Sequence, residues 1–597
     1  MHWKDLFATK SLAQLDAEAK GENRLRRVLG PIGLTSLGIG AIIGSGIFVM
    51  TGEMTANAAG PSILVSFVIT GTCCALAALC YAEFASMAPV AGSAYTYAYA
   101  TLGELFAWII GWDLILEYAM SAAVVASGWS KYFNRLTHGL FGWKLPTTLS
   151  NDPFAKVDPG WFNLPAVVIL LLVTAVLVVG IRESALANTT MVFVKIGVVV
   201  FVIFAGLFYF NRENWTEIPD WYRRFPEEHL FATEAAKYAK EQEQLKGDAL
   251  GERQKKLIDQ TTARHKIEIA KKYGTPEQIR KVESRFAKQL PTESEDVRAV
   301  EAILKESREK APKKAAENWG VLGLLGVNET LERFDDSTRN AFFPYGISGV
   351  MFGAAMLFFV YLGFDSVSTH AEEAVNPPRD VPIGIIGSLV ICTALYMGVA
   401  AVLIGLKPYV DIDPDTGVAS AFEESKFAMI LISLGGLAGM TSVLLITLLS
   451  QARIFLAMAR DGLLPHRLFG TVHPRFRTPH ASTMVTGVSM AAIAALTPIT
   501  ALEEMVNIGT YLAFIIVCAA VWLLRYRHPD AKRPFRCPLI DIVAPAGILI
   551  NLLMMLFLQP HTWERLFIWL AIGLTIYFLF GYHFSMLRRQ APVAGTP

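Results

Sequence analysis

The chain has 597 residues, of which 53% are hydrophobic and only 18% are charged. Soluble proteins carry about 25% charged residues and about 45–50% apolar ones, so this composition indicates a protein embedded in a lipid bilayer. The formal net charge is +1. This charge balance excludes the basic surface of a nucleic-acid-binding protein, and no nucleic acid is expected as a partner.

The segment 1–30 is polar, and it has no apolar stretch followed by a small-residue cleavage site. It is therefore not a secretory signal. We predict a short amphipathic cytoplasmic segment that leads into the first membrane span.

A membrane-spanning helix needs about 20 mainly apolar residues. The sequence predicts twelve spans, at 31–50, 62–88, 97–127, 163–181, 190–210, 345–368, 382–406, 424–454, 480–499, 505–525, 542–559 and 564–586. Lys and Arg in short loops mark the cytoplasmic side. They cluster before span one and after spans four, eight, ten and twelve, which predicts that both termini are cytoplasmic. We expect a multi-pass protein of the plasma membrane, the inner membrane of a bacterium.

The stretch 211–344, between spans five and six, is rich in Glu, Lys, Ala and Gln. With both termini inside the cell, it falls outside the cytoplasm. Thr275 followed by Pro276 is typical of a helix start, and residues 292–295 are a second candidate capping box. We predict several exposed helices here, and a protein partner for this insertion is left open.

These features divide the chain into five parts. They are a cytoplasmic segment, spans one to five, the insertion, spans six to ten, and spans eleven and twelve with a cytoplasmic tail, at 1–30, 31–210, 211–344, 345–525 and 526–597.

Span one contains the sequence IIGSGIF at residues 42–48. Glycines weaken a helix, and an unwound segment inside a membrane is tolerated where it lines a cavity. The amides of residues 44–46 at a half-helix N-terminus could then bind a carboxylate. The alternative is a small-residue packing seam, because Gly40 and Gly44 form a GxxxG pair.

Span six carries a second interruption, in VYLGFDSVSTH, and it opens a second set of five spans. Interruptions at corresponding positions in two halves indicate a transporter site near the membrane midplane. Carbonyl groups near Phe359, Val360 and Leu362 could bind an ammonium group. A ligand with both charges, such as an amino acid, fits the two breaks together.

Three ionisable residues lie within predicted spans: Glu117, Lys195 and Asp365. Charge inside a membrane indicates function. For Lys195 two hypotheses stay open. Its ammonium could hold carbonyls near Gly40 and Ile43 and couple protonation to span one, or it could extend to the cytoplasmic surface and only anchor span five.

Five blocks of the sequence resemble the cationic amino acid transporter family of the amino acid–polyamine–organocation (APC) superfamily. The blocks are LGIGAIIGSGIFVMTG, YAEFASMAPVAGSAYTYAY, GWDLILEY, GFDSVSTHAEEAVNPPRDVPIGI and ARIFLAMARDGLLP. The resemblance is to a bacterial-type member and covers about residues 24–590, except 211–344. It implies an all-α fold of two inverted five-helix repeats with broken helices one and six, plus two C-terminal helices.

The resemblance also implies roles for individual residues. The substrate carboxylate would bind at the span-one break, and the amino group at the span-six carbonyls. Glu117 would lie beside the pocket, Met440 near its side-chain end, and Lys195 would take part in proton coupling. The candidate substrate-binding set is Ile43, Gly44, Ser45, Gly46, Glu117, Phe359, Val360, Leu362 and Met440.

The leading hypothesis is a secondary transporter that imports L-amino acids by proton symport, with the amino acid, protons and the bilayer as its partners. A sodium-coupled or exchange-type transporter of the same fold is the first alternative, and Lys195 argues against sodium. A membrane sensor that uses the insertion is the second, although such a sensor has no need of a midplane site. The sequence shows no Ser-His-Asp set, metal-ligand spacing or nucleotide loop, so we expect no enzyme, cofactor or metal.

Overall fold

The computed structural model describes residues 6–11, 29–87, 92–155, 159–179, 181–216, 228–241, 248–273, 276–325, 328–414, 416–422, 425–473 and 478–590. Within these ranges all regular structure is helical, apart from an isolated bridge between Leu29 and Ala374. Most of the predicted N-terminal segment, the basic residues before span one, Thr275 and the end of the tail lie outside the described residues.

Every predicted span has a helical counterpart. In chain order, the helices are Pro31–Ile42 with Gly46–Met50, Thr51–Met54 and Thr55–Ala59, then Ile63–Met87, Glu104–Phe141, Leu164–Val179, Ile181–Phe208, Gly346–Tyr361 with Ser366–Thr369, Pro377–Leu406, Lys426–Arg460, His480–Leu496, Ile499–Arg527, Ile540–Leu556 and Pro560–Ile576. In the described part of the chain, eight helical segments are long and apolar enough to cross a membrane, and four more apolar helices are shorter. The count of twelve spans stays a prediction.

The third span differs from its prediction of 97–127. The chain forms a separate helix, Ser93–Thr101, and a new helix that begins at Glu104 and continues to Phe141. Gly103 lies between them with φ of +105°, a conformation that side chains rarely allow. A Cβ atom at Gly103 would also lie 2.6 Å from the backbone of Phe7, so a glycine is needed at this junction.

The stretch between spans five and six contains the helices Glu228–Glu241, Asp248–Tyr273, Pro276–Phe286, Ser294–Ala316, Glu317–Leu325 and Asn328–Thr338. The first, second and fourth of these share a small core of their own, formed by Phe231, Ala235, Ala239, Leu257, Val300, Ile303 and Leu304. Several charged pairs cover it, including Lys310 with Glu234 at 2.9 Å.

The C-terminal part of this stretch packs against the membrane helices. The Trp319 indole donates a hydrogen bond to Asp335 Oδ2 at 2.9 Å, and its ring centre lies 5.8 Å from that of Phe557. Asp335 Oδ1 accepts a hydrogen bond from the Ser348 amide at 2.9 Å, in the first turn of span six. Residues 317–325 and 328–344 are therefore integrated with the spans, whereas the helices before them contact mainly one another.

Candidate functional site

Span one is interrupted where the sequence predicts. The helix Pro31–Ile42 ends, Ile43 takes an extended conformation with ψ of 98°, and a π-helical segment follows at Gly46–Met50. A Cβ atom on Gly44 would lie 2.8 Å from Val443 Cγ2, and one on Gly46 would lie 2.8 Å from Val360 Cα. Both explanations of these glycines therefore apply. The helix is interrupted at this segment, and the glycines also allow it to pack closely against span six and span eight.

Span six is also interrupted, and its break faces the first one. The helix Gly346–Tyr361 ends, Leu362 is extended with ψ of 144°, and a short helix restarts at Ser366–Thr369. Gly363 has φ of +116°, and a Cβ atom there would lie 2.7 Å from the backbone carbon of Ala41. The two breaks are therefore in direct contact.

A cavity lies between the two breaks and the adjoining faces of spans three and eight. It is lined by Ala41, Ile42, Gly44, Ser45, Gly46, Glu117, Tyr118, Ser121, Val125, Phe359, Leu362, Gly363, Ser366, Val443 and Thr447. Its volume is about 20 Å³, which is enough for about one water molecule. A larger ligand therefore requires this cavity to widen.

Two side chains bring unpaired polar atoms to this cavity. Ser45 Oγ and Glu117 Oε2 are buried and have no hydrogen-bond partner among the described residues. Buried polar atoms are normally paired, so these two call for a partner in the cavity, either a water molecule or a bound ligand. Asp365 differs, because its carboxylate accepts hydrogen bonds from the Tyr118 hydroxyl at 2.8 Å and the Gly363 amide at 3.2 Å.

The polarity of the two half-helices favours opposite charges at the two breaks. The segment that starts at Gly46 presents a helix N-terminus, which favours an anion. The helix Gly346–Tyr361 ends beside the cavity and presents carbonyl oxygens there, which favour a cation. The geometry therefore suits a ligand that carries both charges close together.

The structure places the predicted binding residues in two groups. Gly44, Ser45, Gly46, Glu117, Phe359 and Leu362 line the cavity. Ile43, Val360 and Met440 are buried and are not among the lining residues. The Met440 sulfur packs beside Gly128 on span three, where an added Cβ atom would lie 3.3 Å from it.

Lys195 points into the protein and is 0% exposed. Its ammonium donates hydrogen bonds to the Gly40 carbonyl at 2.7 Å and the Ile43 carbonyl at 2.9 Å, and it lies 3.5 Å from Ser442 Oγ. The hypothesis that this side chain extends to the cytoplasmic surface is therefore wrong. The ammonium instead holds the end of the first half-helix, at Gly40, and the first residue of the break, Ile43.

Sequence reasoning missed several cavity residues. Tyr118, Ser121 and Val125 follow Glu117 at helical spacing, so the face that Glu117 occupies could have identified them. Val443 and Thr447 lie four residues apart on one face of span eight. These two carry no charge and stand in an apolar stretch, so the sequence offered no signal for them.

Comparison with known proteins agrees with this architecture. The amino acid permease family matches residues 29–235 and 320–579 of the chain. A methylthioribose transporter from Bacillus subtilis (strain 168) is 34% identical over 586 residues, covering 98% of this chain and 99% of that protein. The branched-chain amino acid permease BcaP of the same organism is 35% identical over 588 residues, with the same coverage.

A plant protein extends the comparison to the family that the sequence motifs resemble. The vacuolar cationic amino acid transporter 2 of Arabidopsis thaliana is 32% identical over 531 residues, covering 89% of this chain and 64% of that protein. The matched ranges contain both helix breaks and every residue that lines the cavity. The chain is thus a multi-pass membrane protein that belongs to the amino acid permease family of the APC superfamily.

Proposed function

We propose that the protein is a secondary transporter that imports L-amino acids across the plasma membrane by proton symport. The observation that carries this proposal is the meeting of two helix breaks at one buried cavity that contains unpaired Ser45 Oγ and Glu117 Oε2 atoms. The substrate carboxylate would bind the backbone at Gly44–Gly46, and its ammonium the carbonyls that end the first half of span six.

The proposal includes a membrane topology. Twelve spans would form two inverted five-helix repeats followed by two further helices, and both termini would be cytoplasmic in a bacterial inner membrane. The helix counterparts of all twelve spans and the placement of one break in each half support this arrangement. The insertion would then lie outside the cytoplasm, beside the outer ends of spans five and six.

A second candidate substrate comes from the relatives. One similar protein is described as a methylthioribose transporter, and a thiosugar has neither a carboxylate nor an ammonium group. The half-helix polarity at the two breaks favours the zwitterion, so the amino acid is the stronger candidate.

Counterflow in proteoliposomes tests the proposal. Purified protein is reconstituted, and uptake of labelled L-alanine, L-leucine or L-arginine is measured with and without an inward proton gradient, alongside labelled methylthioribose. We expect uptake of at least one amino acid that rises with the proton gradient and needs no sodium. Uptake of methylthioribose alone, or a sodium requirement, would contradict the proposal.

Substrate preference is expected to depend on Glu117 and Met440, because every L-amino acid presents the same carboxylate and ammonium. Glu117→Gln should change the ratio of cationic to neutral competitors by about tenfold, the effect of one hydrogen bond to a charged group. Met440→Ser should admit longer or cationic side chains, by making room beside Gly128. Competition of twenty amino acids against a labelled one measures both effects, and unchanged profiles in both variants would place the side-chain end of the pocket elsewhere.

The insertion is expected to be dispensable for substrate binding. No described residue between 217 and 316 lines the cavity, and the amino acid permease match omits 236–319. A variant with a glycine–serine linker in place of 217–316 should bind the substrate with an affinity within about threefold of the parent.

The control for this truncation also removes residues 317–344. That larger deletion loses the hydrogen bonds of Asp335 to Ser348 and should lower the thermal unfolding temperature. A 217–316 variant that is monodisperse in detergent yet binds no substrate would show that the insertion takes part in transport.

A further inference from the structure

A tyrosine outside the cavity lining connects the two helix breaks. Tyr396 lies on the helix Pro377–Leu406 and is 0% exposed. Its hydroxyl lies 2.9 Å from the carbonyl oxygen of Ile42 and 3.0 Å from that of Val360. Ile42 ends the first half of span one, and Val360 is the second-last residue of the first half of span six.

A hydroxyl has only one proton to donate. The Tyr396 proton is therefore shared between the two carbonyls, or it alternates between them. Either way, one oxygen atom lies within 3.0 Å of a carbonyl at the end of each first half-helix, so it links the two ends directly.

The position of that oxygen atom is itself fixed by packing. The Tyr396 ring lies 5.5 Å from the Tyr361 ring in an edge-to-face arrangement and 6.0 Å from the Phe67 ring. Edge-to-face aromatic pairs are a favourable arrangement that restrains both rings. Span seven thus provides a rigid support for the two breaks.

From this geometry we infer that Tyr396 is a positioning residue that selects α-amino acids by setting the distance between the carboxylate-binding and ammonium-binding segments. The inference rests on the proposed function. It adds that the site selects substrates by the distance between their carboxylate and ammonium groups. A β-amino acid has one more carbon between its two charged groups, which lengthens it by about 1.5 Å. Two breaks held at one separation cannot bind the charged groups of α-amino acids and β-amino acids equally well.

The test compares Tyr396→Phe with Tyr361→Phe. Each change removes one buried hydroxyl from the same aromatic cluster, but the Tyr361 hydroxyl donates to the Phe67 carbonyl, at 3.1 Å, away from both breaks. The probes are two matched pairs, L-alanine with β-alanine and L-leucine with β-homoleucine. Affinity is measured by competition against a labelled L-amino acid.

We expect Tyr396→Phe to reduce the preference for the α-amino acid by about tenfold in both pairs, mainly through weaker α binding. Tyr361→Phe should leave the preference unchanged. A Tyr396→Phe protein that retains the parental ratio overturns the inference. If the parent binds none of these amino acids, the proposed function fails as well, so the two failures are distinguishable.

A further variant covers the case in which Tyr396→Phe is not recovered as folded protein. 4-Aminophenylalanine at position 396 keeps N–H donors at the same place and can donate to both carbonyls. The parental preference for α-amino acids should then be retained, and its loss would overturn the inference.

Discussion

Replacing Lys195 with alanine is expected to abolish the accumulation of amino acids against a gradient in response to pH. The ammonium holds the Gly40 and Ile43 carbonyls, at the point where the first half of span one ends and the break begins. Release of its proton would weaken both hydrogen bonds, so protonation and the shape of the break are linked. Lys195→Arg should also fail, because arginine does not lose its proton in proteins.

The same residue argues against sodium coupling. Two unit charges 4 Å apart repel by about 4 kcal/mol at an effective dielectric constant of 20. A sodium ion bound this close to the Lys195 ammonium would lose affinity roughly a thousandfold, so we expect transport that needs no sodium.

Uptake across a pH series, with and without sodium, measures the effect of the Lys195 variants. Lys426→Ala, at an exposed lysine, is the matched control and should accumulate substrate as the parent does. Counterflow without a gradient separates loss of coupling from loss of binding. An alanine variant that still accumulates substrate in response to pH would exclude Lys195 as the coupling group.

The sequence predicted the parts of this molecule that depend on local chemistry. Glycine-rich interruptions at IIGSGIF and VYLGFDS are visible because they break apolar helical runs. Lys195 donates hydrogen bonds to the Gly40 and Ile43 carbonyls, as the sequence predicted. This pairing could be predicted because an ammonium inside a membrane needs acceptors, and an interrupted helix has free carbonyl groups.

Contacts between distant parts of the chain could not be predicted in this way. Tyr396 is a single aromatic residue in an apolar helix, and only the folded structure places its hydroxyl between Ile42 and Val360. The span-three boundary was wrong because the apolar pattern runs through Gly103, where tertiary packing against Phe7 decides the conformation. Met440, expected near the side-chain end of the pocket, is buried with its sulfur beside Gly128, and its role in substrate choice stays a prediction.

The insertion illustrates a different limit of sequence reasoning. Composition predicts a charged stretch at 211–344, but the amino acid permease match ends at 235 and resumes at 320. Part of the charge in this stretch belongs to the family fold, because Asp335 is buried and secures the start of span six. High charge therefore does not separate an added domain from the family fold.

Substituting Gly44 with valine is expected to abolish substrate binding, although that result alone would be ambiguous. The new Cβ atom would lie 2.8 Å from Val443 Cγ2, and overpacking of this kind costs about 1–3 kcal/mol. A simple loss of stability could therefore explain a loss of binding. The double variant Gly44→Val with Val443→Ala removes this ambiguity, because the smaller alanine makes room for the added methyl groups.

We expect the double variant to regain most of the parental unfolding temperature while substrate affinity stays reduced on the order of a hundredfold. The valine keeps its backbone amide, but its branched side chain restricts the backbone and covers that amide, and the expected loss corresponds to one hydrogen bond between the amide and a charged group. Val443→Ala alone is the control and should bind substrate within about tenfold of the parent, because it leaves the span-one backbone unchanged. Thermal unfolding and substrate competition are measured on all three variants. If the double variant binds as well as Val443→Ala does, Gly44 serves packing alone, and carboxylate recognition by the backbone at this position is wrong.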